Sequence, residues 1–308
     1  MPSFQATFTR FLVRSLLKPY LMSGPLTTQR SRFASLAGPR RRYGEKIERV
    51  QIGELHAEWV VPPNADPRRV LYYLHGGGFV ACSPKTHRSL AARIAREAGM
   101  RALLVDYRLA PEHPFPSPVE DTVAGYRWLL ANGTKPDQIV IAGDSAGGSL
   151  TLATLLSVRD SGGPLPAAAV CLSPATDATL SGASFSARVA DEAMLSVEFC
   201  RQAVSSYVGA LDPCTPLASP LHADLRGLPP LLIHVGTHEL LLDDSIRFAE
   251  KASKAGVEVT LRVWDGMWHV FHGFDVPEAR AAVDEIGVFM RTHLGVAGVR
   301  GAASRKAD

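Results

Sequence analysis

The stretch that most constrains this 308-residue chain is an apolar run that ends on a glycine and gives way at once to helix-forming residues. Gln138-Ile-Val-Ile-Ala142 reads as a buried strand. Gly143-Asp-Ser-Ala-Gly147 follows without a linker, and Gly148 to Arg159 is rich in Leu, Ala, Ser and Thr and free of Pro. A strand that turns straight into a helix needs a sharp, strained corner, and flanking glycines leave room for one. Such a corner lifts the Ser145 hydroxyl clear of the sheet, at the amino end of the helix. The letters G-x-S-x-G recur by chance and equally describe a glycine-rich loop packed on a sheet. The strand before them and the helix after them point instead to a nucleophile.

The chain around this corner alternates. Strand-like segments are expected near Ile47–Ile52 and Glu54–Val61, then at Val70–Leu74, Ala102–Val105, Gln138–Ala142, Ala167–Leu172, Leu231–Val235 and Val257–Val263. Helices are expected near 86–98, 118–132, 146–159, 243–255 and 278–294. Alternation of this kind predicts an α/β architecture, a mostly parallel eight-stranded sheet with helices on both faces. Such a sheet carries its working residues on loops at the carboxyl ends of the strands. One region breaks the pattern: more than fifty residues separate Pro174 from Pro229, too many for a simple crossover. Its helical part, around Glu192–Val208, is expected to form one piece of a cap.

The other piece is the amino terminus. Phe4, Phe8, Phe11, Leu12 and Leu16 recur at helical spacing over residues 4–22, with Arg10, Arg14 and Lys18 on another sector. Pro19 and Ser23-Gly24-Pro25 suggest where the helix ends. Its apolar face is expected to pack on the body of the protein at a lid position rather than to bind a membrane, because one short helix gives marginal membrane affinity. The expected organisation is therefore a cap segment (1–45), a first part of the core (46–176), a second cap segment (177–226), a second part of the core (227–298) and a polar tail (299–308).

Composition excludes several classes. With 46% hydrophobic and 20% charged residues the chain is globular rather than disordered. Cys82, Cys171, Cys200 and Cys214 show neither C-x-x-C spacing nor a disulfide framework, which fits a reducing, cytoplasmic compartment and argues against a zinc site. Residues 1–50 carry a net charge of +8 against +3 for the whole chain, leaving −5 for the remainder. No charge-free apolar run reaches the ~18 residues of a membrane span, since Arg10, Arg14 and Lys18 interrupt the best candidate. Nor does the amino terminus read as a secretory signal. Arg40-Arg41-Arg42 stands without a second basic block, so it reads as a solvated connector rather than a nucleic-acid patch.

Three further features carry chemistry. His75-Gly-Gly-Gly-Phe79 follows the strand Val70–Leu74, and its glycines expose backbone N–H groups without side-chain obstruction. Together with the N–H of Ala146, those of Gly77 and Gly78 are natural donors to an oxyanion. The bland reading is a tight empty loop; a phosphate loop lacks its Gly-Lys-Ser/Thr. A serine hydroxyl needs a base. His269, in Trp264-Asp-Gly-Met-Trp-His269-Val-Phe-His272, lies after the last strand, where a histidine following serine and acid in chain order belongs; His272 is its local competitor. The orienting acid should follow the preceding strand, in Gly236-Thr-His-Glu239-Leu-Leu-Leu-Asp243-Asp244. Glu239 comes first after that strand, with Asp243 the alternative, and Asp243 and Asp244 also suit the start of the next helix.

His75-Gly-Gly-Gly-Phe79, Asp106-Tyr-Arg-Leu-Ala-Pro-Glu-His-Pro-Phe-Pro116, Gly143-Asp-Ser-Ala-Gly-Gly148 and Gly266-Met-Trp-His269 stand in an order that resembles the hormone-sensitive-lipase-like branch of the α/β-hydrolases, the bacterial family IV esterases. The resemblance spans residues 70–275. It implies the α/β-hydrolase fold with a two-part cap, carboxylesterase activity without a cofactor or metal, Ser145 and His269 in the triad, and donors at Gly77, Gly78 and Ala146. It also implies structural support beneath the active-site loops from the Asp106–Pro116 block. The acid departs from the family's usual Asp-Pro-Leu-x-Asp, since Glu239-Leu-Leu-Leu-Asp243 stands there, and the role of the neighbouring His238 stays open.

The leading expectation is a serine esterase acting on small to medium, fairly apolar esters, with lactones and acetyl esters meeting the same requirements. The alternative is a non-catalytic small-molecule binding protein on a hydrolase scaffold. The expected partner is a small-molecule ester, with no nucleic acid and no stable membrane insertion, and a homodimer stays open.

Overall fold

Long apolar runs without alternation suit strands covered on both faces, and these runs form the middle of a single sheet. The structure, a computed structural model, describes residues 1–37 and 44–296. Arg40-Arg41-Arg42 and the polar tail 299–308 lie outside the described residues. The strands are β1 (Lys46–Ile52), β2 (Leu55–Val61), β3 (Asp66–Leu74), β4 (Met100–Val105), β5 (Ile139–Asp144), β6 (Ala168–Leu172), β7 (Leu231–Gly236) and β8 (Val259–Trp264). They lie in the order β1-β2-β4-β3-β5-β6-β7-β8. β2 runs antiparallel to β1 and β4, and every other pairing is parallel. Every residue of β5, β6 and β7 is buried, which is why these segments show no polar alternation.

The helices are α1 (Phe4–Leu12), α2 (Lys18–Met22), α3 (Leu26–Ser35), α4 (Pro84–Ala98), α5 (Ser117–Ala131), α6 (Ala146–Asp160), α7 (Ser184–Ala187), α8 (Val197–Val208), α9 (Leu242–Lys254) and α10 (Pro277–His293). Successive strand side chains feed opposite layers. Val70, Tyr72 and Leu74 pack with Val123 and Tyr126 of α5, Leu150 of α6 and Phe248 of α9. Leu71 and Tyr73 join Leu90 and Ile94 of α4 and Val283 and Ile286 of α10 on the other face. Local signals bound the helices: α4 opens on a Ser83–Thr86 capping box and closes on left-handed Gly99. α8 starts at Val197, five residues later than expected, because the Ser196 hydroxyl accepts from the Phe199 N–H at 3.0 Å and caps it there.

The amino-terminal segment departs from expectation. α1 passes through a π-helical turn, Val13–Leu17, into α2. Pro19 has no N–H and its ring crowds the preceding turn; the widened turn, with the Lys18 N–H bonded to the Val13 carbonyl, lets the helix run past it. The face that packs is not the expected one. Ala6, Val13 and Leu21 are buried, whereas Phe4, Phe8, Phe11, Leu12 and Leu16 all face solvent. Small residues let the helix lie close on the body, and the large ones were left outside. α3, which sequence periodicity did not mark, follows and brings Phe33 against Phe199 of α8, ring centroids 5.9 Å apart. Among the described residues no helix is long and apolar enough to cross a membrane.

Candidate active site

Four adjacent strands, β5, β6, β7 and β8, end at one edge of the sheet, and the residue set of interest leaves their carboxyl ends in that order. Ser145 follows β5 and takes φ 53°, ψ −119°, a conformation that strains any residue with a side chain. Packing holds it there. Its N–H bonds to the Leu172 carbonyl of β6 at 2.8 Å, and its carbonyl accepts from Ala175 and Ser149 at 3.2 Å. The corner is too tight for side chains on either side: a Cβ on Gly143 would lie 2.3 Å from the Gly147 carbonyl oxygen, and one on Gly147 only 2.0 Å from that of Leu74.

The His75–Phe79 loop lies directly against this corner. Asp144 accepts from the Tyr73 hydroxyl at 2.7 Å and the Gly76 N–H at 3.2 Å, and meets His87 Nε2 at 3.3 Å. Burial alone would raise the Asp144 carboxyl, but the charge and hydrogen bond of His87, with the Tyr73 bond, hold it below the usual range. His87 is raised in turn: burial opposes its charged form and Asp144 outweighs burial. Gly77 and Gly78 have φ of 116° and 64°, which suits glycine. Among the described residues, no backbone acceptor takes up the N–H of Gly77, Gly78 or Ala146. Three unused donors on two abutting loops suit an incoming anionic oxygen.

Glu239 follows β7 and is fully buried. Its Oε1 accepts from the Gly236 N–H and from the Ser173 hydroxyl at 2.9 Å; its Oε2 lies 2.9 Å from His269 Nδ1. The structure thus brings Glu239 and His269 together. Asp243 and Asp244 go elsewhere. Asp243 accepts from the Ser184 N–H at 2.9 Å. Asp244 accepts from Thr176 and Asp177 at 2.8 and 2.9 Å, and burial, ahead of the nearby Asp177, pushes its carboxyl up to about 7. His272 does not reach the acid either: its Nε2 lies 3.2 Å from Nδ1 of buried His234. For His269, burial works against the imidazolium, yet the hydrogen bond and charge of Glu239, with Glu192 and Asp144 behind them, raise it above the ordinary 6.5. For His272, burial, His234, Arg93 and His269 all push the same way, well below 6.5.

Several residues packed around the site were missed from the sequence. Glu192, between the expected cap helix and the preceding loop, is fully buried. Its Oε1 accepts from the Met194 and Leu195 N–H groups, and its Oε2 from that of Leu240, the residue after Glu239, at 3.0 Å. Burial raises its carboxyl, helped by the Glu239 charge and opposed by His269. Nothing in its local sequence singles it out. Ser173 had a weak signal, a small polar residue at a strand's carboxyl end. Asp144 had a stronger one, an acid closing an apolar run that must find partners when buried. His238, whose role was open, meets Arg10 of α1 through Nδ1 and ties the amino-terminal helix to the acid's loop.

Two surface cavities, of about 560 and 660 Å³, lie away from Ser145, one along β1 and β2 beside His56, Lys85 and Asp106, the other under Val119 and Trp128. Beside the site, α8 packs closely over the Gly77–Gly78 loop: a Cβ on Gly78 would lie 3.0 Å from the Ala203 Cβ and 3.1 Å from the Phe199 ring.

Comparison with known proteins agrees. The family model described as alpha/beta hydrolase fold matches residues 71–273. An acetyl-hydrolase of Streptomyces hygroscopicus is 47% identical over 80% of this chain and 83% of its own length. An esterase of Acinetobacter venetianus is 38% identical over 79% and 81%. Among solved structures, EstE5 superimposes with a TM-score of 0.92 at 43% identity, covering 95% of this chain and 99% of that one. An esterase from the bacterial hormone-sensitive lipase family gives 0.91 at 42% identity, with coverage of 96% and 100%. Relatives that are enzymes weigh against the alternative of a non-catalytic binding protein. The chain belongs to the α/β-hydrolase family, in its bacterial hormone-sensitive-lipase-like branch, and is a carboxylic ester hydrolase.

Proposed function

We propose that Ser145 is the nucleophile, His269 its base and Glu239 the acid that orients the base, with the N–H groups of Gly77, Gly78 and Ala146 receiving the oxyanion. The observation that carries this reading is the 2.9 Å contact between His269 Nδ1 and the Glu239 carboxylate, on the same carboxyl edge of the sheet as the strained serine corner. A carboxylate accepting from Nδ1 fixes that nitrogen as the protonated one, so Nε2 is the free acceptor. Ser145 Oγ attacks the ester carbonyl carbon as its proton passes to Nε2. The oxyanion so formed is stabilised by the backbone donors. Collapse breaks the bond to the alcohol oxygen, which leaves with the proton from His269. Water then attacks the acyl-enzyme, giving its proton to Nε2 and releasing the acid as that proton returns to Ser145.

The substrates are small to medium, fairly apolar esters. Support comes from Phe199 and Ala203, which bring apolar side chains over the Gly78 loop, and from a relative named an acetyl-hydrolase. Residues 1–45 and 177–226 act as the two pieces of the cap. A cytoplasmic location belongs to the same reading, supported by four free cysteines. The test is a series of p-nitrophenyl esters of increasing acyl length. kcat/KM should peak at short to medium chains, and a maximum at long chains would overturn the substrate assignment.

A further inference from the structure

Among the described residues, the outward face of α1 and α2 has no partner, and it has a definite chemistry. Phe4, Phe8, Phe11 and Leu16 are 85%, 53%, 62% and 67% exposed, and Leu12 and Tyr20 extend the same stripe. An amphipathic helix ordinarily buries its large side chains and leaves the polar face to water. Here Ala6, Val13 and Leu21 make the contact with the body, and a row of aromatic and aliphatic side chains looks outward. A contiguous patch of this kind marks an interaction surface.

Charge says what covers it. The first 44 residues carry eight Lys or Arg and no Asp or Glu; Arg10, Lys18 and Arg30 bond to the body, and Arg14 and Arg32 are the described cations left on this side. Arg14 is exposed beside the stripe, and Arg32 lies over the Tyr20 ring, 5.1 Å from its centroid, donating to the Tyr20 and Ser23 carbonyls and the Ser23 hydroxyl. Among the described residues no carboxylate pairs with either. A second copy of the chain meeting this face through a two-fold axis would set these cations against their own images, with no acid on the segment to relieve them. A surface of anionic lipid supplies the opposite charge over its whole area and takes up aromatic and leucine side chains at its headgroup boundary.

We infer that the Phe4–Tyr20 face docks this protein on anionic lipid surfaces. One short helix binds membranes marginally when it must fold as it binds. This helix is already ordered: the Ser3 hydroxyl donates to Glu278 at 3.0 Å, Lys18 donates to the Glu192 carbonyl at 2.9 Å, and Arg10 meets His238. Docking therefore costs little conformational entropy. The attachment inferred is peripheral: the helix lies along the surface, and among the described residues no helix is long and apolar enough to cross a bilayer. It also brings the site to the lipid boundary. Pro2 lies against Gly266 in the loop that carries His269, and Arg30 of α3 donates to the Val80 carbonyl beside the Gly77–Gly78 loop. The docking itself does not rest on the roles assigned to the triad.

The test is flotation of the whole protein with vesicles of phosphatidylcholine alone or mixed equally with phosphatidylglycerol, beside the variant F8S/F11S/L16S. All three side chains are exposed, so the variant should fold and hydrolyse a short soluble ester like the parent. The parent should float with the anionic vesicles at low salt and lose that partition at high salt. The triple variant, and the parent with phosphatidylcholine alone, should float about tenfold less. Arg14→Glu should weaken flotation on the anionic vesicles. The inference fails if the parent stays with the unbound fraction, or if the triple variant floats as the parent does. It fails equally if the parent forms a dimer that the triple variant loses while neither floats, for the face then belongs to a second copy.

Discussion

His269 and His272 stand three residues apart on one loop, are equally buried, and have opposite chemistry. His269 has a carboxylate 2.9 Å from Nδ1; His272 has another imidazole 3.2 Å from Nε2 and, among the described residues, no partner for Nδ1. Burial opposes the charged form of both, so depth does not distinguish them. The partner does. An anion beside His269 overcomes burial and makes its protonated state accessible, while a neutral imidazole and nearby cations reinforce burial at His272 and keep it neutral. A base must take up a proton and give it back, so only the first is suited to the task.

Removing the participants should separate the two histidines. Ser145→Ala and His269→Asn should each cut kcat by about 10⁴-fold or more with the fold intact, as losses in other triads do. Steady-state turnover beside circular dichroism checks this. Glu239→Gln keeps the shape and removes the charge that supports the imidazolium, for a loss of ~10²–10⁴ in kcat. His272→Asn should leave kcat within a few-fold of the parent. Its cost should be stability, on the order of 1–3 kcal/mol in a denaturant titration, because buried His234 loses its partner. Turnover crippled by His272→Asn and spared by His269→Asn would reverse the comparison.

The smallest effect is the most specific. As the proposed base His269 must be neutral to act, so its raised pKa should place the acid limb of kcat/KM above the ordinary histidine value, with activity lost as pH falls through it. The same shift has the opposite sign for stability. The protonated His269–Glu239 pair stabilises the fold fully below the unfolded histidine value, and this contribution is lost as pH rises through the folded pKa. Glu192→Gln removes one of the charges that raise His269. Its acid limb should move to lower pH with kcat reduced less than about tenfold. A limb that does not move would reduce Glu192 to a support for the Leu240 N–H.

What could be read from the sequence depended on whether a feature is local. The strands of the sheet centre were legible because burial on both faces leaves an unbroken apolar run, as in Gln138–Ala142. Ser145 was legible because its corner is made by its own neighbours, and Glu239 because chain order after a strand carried it to the sheet edge. Glu192 was not, since its importance comes from Leu240 and His269, far along the chain. The amino-terminal helix was legible as a helix and misread as to its face. Periodicity reports where the apolar side chains lie, and not which side the body will take. Ala6 and Val13 made the closer fit.

The account rests on Ser145 as the atom that becomes acylated, and covalent capture tests this most directly. A small alkyl phosphonofluoridate loses fluoride to an activated serine oxygen, and the intact mass followed by peptide mapping locates the new bond. The account predicts a single adduct per chain, on Ser145, formed far more slowly in His269→Asn and Glu239→Gln and absent in Ser145→Ala. An adduct on any other residue, or a chain that turns over esters while Ser145 stays unmodified, would contradict it.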